Sequence, residues 1–175
     1  PRILMASDAA IADEVTAAFV ARGVDVRVGI DGVSRLVPSA EGAIDLVLVE
    51  DGAERTIEVD AVIMATGWPA DVDDLGLEHA GLRVERGAIP ADEYLRTAVP
   101  HVFAVGDANG RDMLVQAAQF EGEAAAENAV LGASVRAPHR LLPAGGFTDP
   151  DYAGVGFTEA QARERDADCV VATVR

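Results

Sequence analysis

The apolar run Val102-Phe103-Ala104-Val105 stops abruptly at Gly106-Asp107, and a short loop, 108–112, leads from there into a helical pattern. A glycine at the carboxyl end of a strand permits close backbone approach, and an adjacent carboxylate accepts hydrogen bonds from sugar or polyol hydroxyls. The helix that follows turns its free N–H groups and positive dipole end back on the same place, where a phosphate or an electron-rich ring edge is stabilised. A plain strand-terminating Gly-Asp turn accounts for the spacing equally well.

Other residues with chemical potential read as structural. Gly154-Val155-Gly156 precedes a helix, but it lacks the third glycine and the strand context of a dinucleotide loop. Cys169 sits in an apolar stretch and behaves as a small buried hydrophobe. His79, His101 and His139 have no metal-ligand spacing and read as surface or turn residues. Asp71, Asp73 and Asp74 form a solvated acidic turn rather than a calcium loop, because the rest of such a loop is missing. Trp68 beside Pro69 is expected to pack a domain junction.

The elements that must position Gly106-Asp107 follow from pattern. A helix capped by Ser7 or Asp8 is predicted to run to about Arg22, with Ile11, Val15, Ala18 and Phe19 on one face and Gly23 as its stop. Val24–Val28 alternates as a strand. Strands at 33–37, 44–50 and 55–59, joined by the turns Pro38–Gly42 and Asp51-Gly52, make an antiparallel meander. Ala61–Met64 reads as a short buried strand ending at Ala65-Thr66-Gly67, and 68–91 as a connection with little regular structure. Met113, Ala117, Phe120, Ala124 and Leu131 give a helix over 113–131 closed by Gly132. A linker at 133–146, a helix at 158–165 and a strand at 169–174 complete the chain.

Composition narrows the function classes. The 175 residues carry a net charge of −16, and all 14 basic residues are arginine. So acidic a surface repels phosphate backbones, which excludes nucleic acid as a partner. Without lysine there is no lysine nucleophile or Schiff base. A single cysteine cannot form an internal disulfide, which points to a reducing, cytoplasmic setting, and it cannot supply a two-thiol redox centre. No apolar run approaches the roughly 18 residues of a membrane span. The Pro1-Arg2 start leads us to expect an internal fragment.

The stretch Glu93-Tyr94-Leu95-Arg96-Thr97-Ala98-Val99-Pro100-His101-Val102-Phe103-Ala104-Val105-Gly106-Asp107 resembles the C-terminal flavin signature of the pyridine nucleotide-disulfide oxidoreductases, the relatives of lipoamide dehydrogenase and mercuric reductase. Three neighbours resemble the same family in the same order. They are Ala65-Thr66-Gly67, at the crossover back to the flavin domain, Leu75–Leu82 after it, and Phe147–Glu159, at the start of the dimerisation domain. The resemblance covers essentially the whole chain. It implies an α/β fold: partial Rossmann-like, three-layer FAD- and NAD(P)-binding domains with a β-meander, plus the start of an α+β dimerisation domain. The implied boundaries are 1–67 for the NAD(P)-binding part, 68–140 for the FAD-binding part and 141–175 for the dimerisation part.

The resemblance also implies roles. Gly106 and Asp107 would contact FAD, with Asp107 on the ribityl chain, while Met113, Leu114, Val115 and Gln116 would line the isoalloxazine. Val33, Ala65 and Gly67 would lie near NAD(P). Family members pass a hydride from NAD(P)H to FAD and then electrons to a disulfide or similar small-molecule acceptor, as homodimers. Here Trp68-Pro69 follows Ala65-Thr66-Gly67 where many relatives have arginine, and Gln116 stands where many have histidine.

Neither Gly-x-Gly-x-x-Gly phosphate loop is present. Those loops and the redox cysteines are expected upstream of Pro1, and the His–Glu acid/base pair beyond Arg175. No residue of this chain is assigned a catalytic role or a metal. The 175 residues alone are expected to bind no FAD tightly, to oxidise no NADH, and to expose apolar edges unless they associate. Two alternatives stay open: an inert scaffold or dimerisation module, and a cysteine-independent NAD(P)H oxidase or transhydrogenase type of flavoprotein.

Overall fold

A computed structural model describes residues 1–67, 69–132, 135–137, 141–165 and 168–174. The backbone forms two compact units, one of Pro1–Thr66 with Gly145–Arg175 and one of Gly67–Ala144. Trp68, expected at a junction, and His139, expected at the surface, lie outside the described residues.

In the first unit, helix α1 (Ala9–Ala21) buries Ala12 and Val15 and leaves Ile11, Ala18 and Phe19 half-buried. Gly23, at φ 85°, follows its last turn, as its left-handed preference requires. Asp8 occupies the N-cap position, yet its carboxylate does not cap α1; it accepts instead from the Glu159 N–H at 2.8 Å. Strands β1 (Gly32–Pro38), β2 (Ile44–Glu50) and β3 (Ala53–Val59) form the expected antiparallel meander, with β2 central. Asp51 and Gly52 both adopt positive φ, the geometry of a primed hairpin turn that matches strand twist. Val47 and Leu48 of β2 are its buried residues.

Val24–Val28 and Ala61–Met64, expected as strands, carry no ladder. Apolar patterning gives a segment its β preference, but a ladder needs a neighbouring strand. No strand pairs with these segments among the described residues, and Ile63 and Met64 are 90% and 77% exposed. The stretch 169–174 likewise lacks a ladder, and Cys169 is half-buried. A two-stranded pair, β4 (Ala144–Gly146) and β5 (Tyr152–Gly154), appears where a linker was expected to end. Helix α3 (Glu159–Glu164) starts with a capping box, Thr158 and Gln161 each satisfying the other's backbone N–H. Gly154-Val155-Gly156 runs from the end of β5 toward that cap.

The second unit packs around Leu95, which is fully buried against Ala124, Ala125 and Ala137, with Phe103, Val105, Phe120 and Val135 around them. Helix α2 spans Val115–Leu131, two residues shorter at its start than its pattern predicts. Its buried stripe is Ala117, Glu121, Ala124, Ala125 and Asn128; Leu131, expected inside, is 66% exposed. Val102–Val105 makes one isolated bridge, Phe103 to Arg96, rather than a full strand. No described helix is long and apolar enough to cross a membrane.

Leu95 has φ 67°, a left-handed conformation that a leucine adopts only when its surroundings impose it. The Asp92 side chain supplies that constraint. One carboxylate oxygen accepts the N–H groups of Tyr94 at 2.9 Å and Arg96 at 3.0 Å, and the other accepts the Arg96 guanidinium at 2.8 Å. Burial alone would raise the Asp92 carboxyl, but these hydrogen bonds more than offset it and hold it below the usual carboxylate range. A depressed carboxyl stabilises the fold above its unfolded value of about 3.9, and that contribution disappears as pH falls through the lower folded value. Asp92→Asn is therefore expected to lower the melting temperature slightly near neutrality and to flatten its fall at acid pH. The carboxylate is 40% exposed, so the difference is small. Parallel acid profiles for the two proteins would contradict this account.

Candidate functional site

Gly106–Asn109 forms one 3-10 turn, with Gly106 and Asn109 buried and Asp107 exposed between them. Gly106 is at φ 60°, and a Cβ built there would come within 2.8 Å of the Ala118 Cβ on α2. Backbone conformation and helix contact both demand glycine. The Gly106 N–H does not face outward; it donates to the Glu121 carboxylate at 2.6 Å.

Asn109 is the hub of the turn. Its amide nitrogen donates to the same Glu121 oxygen at 2.7 Å and to the Ala104 carbonyl at 3.2 Å. Its amide oxygen accepts the Arg111 N–H at 2.9 Å. The Arg111 guanidinium in turn donates to the Ala91 and Asp92 carbonyls at 2.5 and 2.7 Å. Ile89 N–H donates to the Ala108 carbonyl at 2.8 Å, which ties the turn to the 85–92 segment. The turn is thus held from three sides, and its exposed member is a carboxylate.

Helix α2 begins just beyond. Leu114 is its N-cap; among the described residues no side-chain hydrogen bond caps it, and its first turn carries no acid. Its first N–H groups and dipole end therefore suit an external acceptor. Met113 and Val115 are exposed, Val115 by 83%, which gives the helix start an apolar surface fit for a ring. The Gln116 side-chain amide donates to the Pro143 carbonyl. A cleft of about 520 Å³ opens beside the turn, with Asn109, Gly110 and Met113 facing Pro69, Arg86, Gly87 and Ala88.

All six residues expected near FAD (Gly106, Asp107, Met113, Leu114, Val115 and Gln116) belong to the second unit, on this turn and this helix start. Of those expected near NAD(P), Val33 lies on β1, pairs with Leu48 and borders a register shift at Val33/Arg35. Ala65 follows β3 in the first unit, and Gly67, at φ 93°, opens the second. His79 and His101 are exposed, and no group of three metal-ligating side chains occurs among the described residues.

Glu121 and Asn109 escape the sequence reading. The available signal was a carboxylate at position 121, four residues after Ala117 and three before Ala124, in a stripe whose neighbouring positions are alanine. A carboxylate there is almost never buried without partners.

Comparison with known proteins draws these features together. The family profile described as pyridine nucleotide-disulphide oxidoreductase matches residues 1–122. A dihydrolipoyl dehydrogenase of Mycobacterium bovis is 34% identical over 177 residues, covering 98% of this chain and 37% of the relative. A glutathione reductase of Burkholderia cepacia is 40% identical over 144 residues, covering 82% of this chain and 31% of the relative. Among solved structures, LpdA from Mycobacterium tuberculosis superposes with a TM-score of 0.78 at 26% identity, over 93% of this chain and 34% of that one. The Cu(II) complex of the HOCl-induced flavoprotein disulfide reductase RclA from Escherichia coli gives 0.79 at 28% identity, over 95% and 37%. The chain therefore spans about a third of the length of these relatives. By the profile match, the repeated similarity to flavoprotein reductases and the shared α/β architecture, this chain belongs to the pyridine nucleotide-disulphide oxidoreductase family.

Proposed function

We propose that the chain is the part of an FAD-dependent pyridine nucleotide-disulfide oxidoreductase that contacts the flavin, in a longer, dihydrolipoyl dehydrogenase-like parent. The observation that carries this reading is the rigid turn at Gly106–Asn109, which presents one exposed carboxylate next to an uncapped helix start with apolar side chains. Those features fit a cofactor that combines hydroxyls, an electron-rich ring edge and an apolar ring face.

A bound FAD would supply the acceptor for a hydride from NAD(P)H and the donor of electrons to a disulfide or small-molecule acceptor. The residues of this chain bind and orient. Asp107 accepts hydrogen bonds from ribityl hydroxyls, the first N–H groups of α2 stabilise negative charge at the ring edge, and Met113 and Val115 exclude water from its face. Val33, Ala65 and Gly67 contribute to the NAD(P) side. Catalytic thiols, phosphate loops and the acid/base pair come from other parts of the parent. A cytoplasmic homodimer belongs to the same reading, which the single cysteine and the exposed apolar side chains support.

The test is flavin content. The purified parent is expected to be yellow with one FAD per chain, and NADH is expected to bleach it without air. The 175 residues alone are expected to stay colourless after incubation with FAD and gel filtration. Asp107→Ala in the parent is expected to weaken FAD binding roughly 10- to 100-fold, the range for losing hydrogen bonds to a charged group. A parent that folds but binds no flavin would overturn the proposal. A Cys-x-x-x-x-Cys absent from the parent would instead favour the cysteine-independent oxidase or transhydrogenase type.

A further inference from the structure

Glu121 is an acid inside the stripe that α2 buries, with 5% of its surface exposed. One carboxylate oxygen collects two donors, the Gly106 N–H at 2.6 Å and the Asn109 side-chain amide at 2.7 Å. The two donors sit at opposite ends of the 3-10 turn that has Asp107 between them. A buried carboxylate is costly unless its partners are fixed, and these are charge-assisted bonds of the stronger kind. Packing alone needs no acid at this position: three of the other four stripe residues are alanines, Ala117, Ala124 and Ala125, and the fourth, Asn128, has partners of its own.

We propose that Glu121 is a positioning residue of the flavin site: by clamping both ends of the turn, it fixes where the Asp107 carboxylate meets the ribityl hydroxyls. The clamp also consumes the Gly106 N–H, so Gly106 serves the site through its shape and not as a donor to the cofactor. This inference rests on the flavin reading above.

The experiment measures FAD affinity of the apo-parent by quenching of FAD fluorescence, together with the melting temperature of the same apo-protein. Glu121→Leu removes the acceptor and is expected to weaken FAD binding about tenfold or more. Glu121→Gln keeps one oxygen able to accept both protons and is expected to stay within about threefold of the original protein. Asn128→Ala is the control for plain destabilisation. Asn128 is equally buried on the same helix, but it bonds the Tyr94 and Val135 carbonyls and the Val135 N–H, away from the turn. It is expected to lower the melting temperature and leave FAD affinity unchanged.

Unchanged affinity in Glu121→Leu overturns the positioning role, and so does an equal loss in Asn128→Ala at equal melting temperature. Should Glu121→Leu fail to fold, Asn109→Ala carries the same comparison: weaker FAD binding than Asn128→Ala at similar stability supports the role, and equal binding overturns it. A parent that binds no FAD at all overturns the flavin reading and this inference with it. A parent that binds FAD with Glu121→Leu unaffected overturns only the inference.

Discussion

Gly106→Ala is expected to destabilise the protein by about 2–5 kcal/mol and to disrupt the proposed flavin site. Two penalties combine. A Cβ at φ 60° costs about 1–2 kcal/mol, because it crowds the following carbonyl. The same carbon would stand 2.8 Å from the Ala118 Cβ and 3.4 Å from its Cα. Helix backbone cannot yield as a flexible side-chain tip would, so overpacking adds about 1–3 kcal/mol. The relief available is to move the turn away from α2, which stretches the Glu121 clamp and shifts Asp107. Gly122, in the same helix, has open space at its Cβ, and Gly122→Ala is expected to be neutral or stabilising by up to about 1 kcal/mol. Urea unfolding of the two variants checks the contrast. Equal stability of Gly106→Ala and the original protein would show that the turn is not seated on α2 as described.

Leu95→Ala carries the other large effect, a loss of about 2–5 kcal/mol. Leu95 is fully buried at the centre of the second unit's core, between α2 and the 135–137 segment. Removing its isobutyl group leaves a cavity that the small neighbours Ala124, Ala125 and Ala137 cannot fill. Its left-handed backbone makes a second comparison informative. Leu95→Gly empties the same space but relieves roughly 1 kcal/mol of backbone strain. It is therefore expected to be at least as stable as Leu95→Ala, the reverse of the usual order. A glycine variant clearly less stable than the alanine one would contradict the assigned φ.

What could be read from the sequence was local. The meander was legible because Asp51-Gly52 is a strong hairpin signal and the strands either side of it alternate or run apolar. Helix α1 and α3 were legible through their caps and stops, Gly23 and Thr158 above all. The strand at Val24–Val28 was not a safe reading, because its pairing depends on neighbours that no local pattern reveals. Apolar periodicity locates helix α2, but it marks only the apolar members of the buried stripe. Glu121 and Asn128, the two polar residues that the helix buries, carry no such periodic mark.

The same contrast holds at the candidate site. Gly106-Asp107 stood out by type and position, and the structure supplies a steric reason for the glycine that spacing could not. The clamp beneath it joins residues 106, 109 and 121 across a loop and a helix, a long-range fact invisible to periodicity. Asp92, whose bonds hold Leu95 in its strained conformation, was invisible for the same reason.

The central claim is that the Gly106–Asn109 turn meets the flavin through Asp107. A crystal structure of the parent protein with bound FAD tests it most directly. The account predicts an Asp107 carboxylate oxygen at about 2.6–3.0 Å from a ribityl hydroxyl, with the start of α2 at the ring and the Glu121 clamp intact. A flavin bound elsewhere, or a ribityl chain out of hydrogen-bond reach of Asp107, would contradict it.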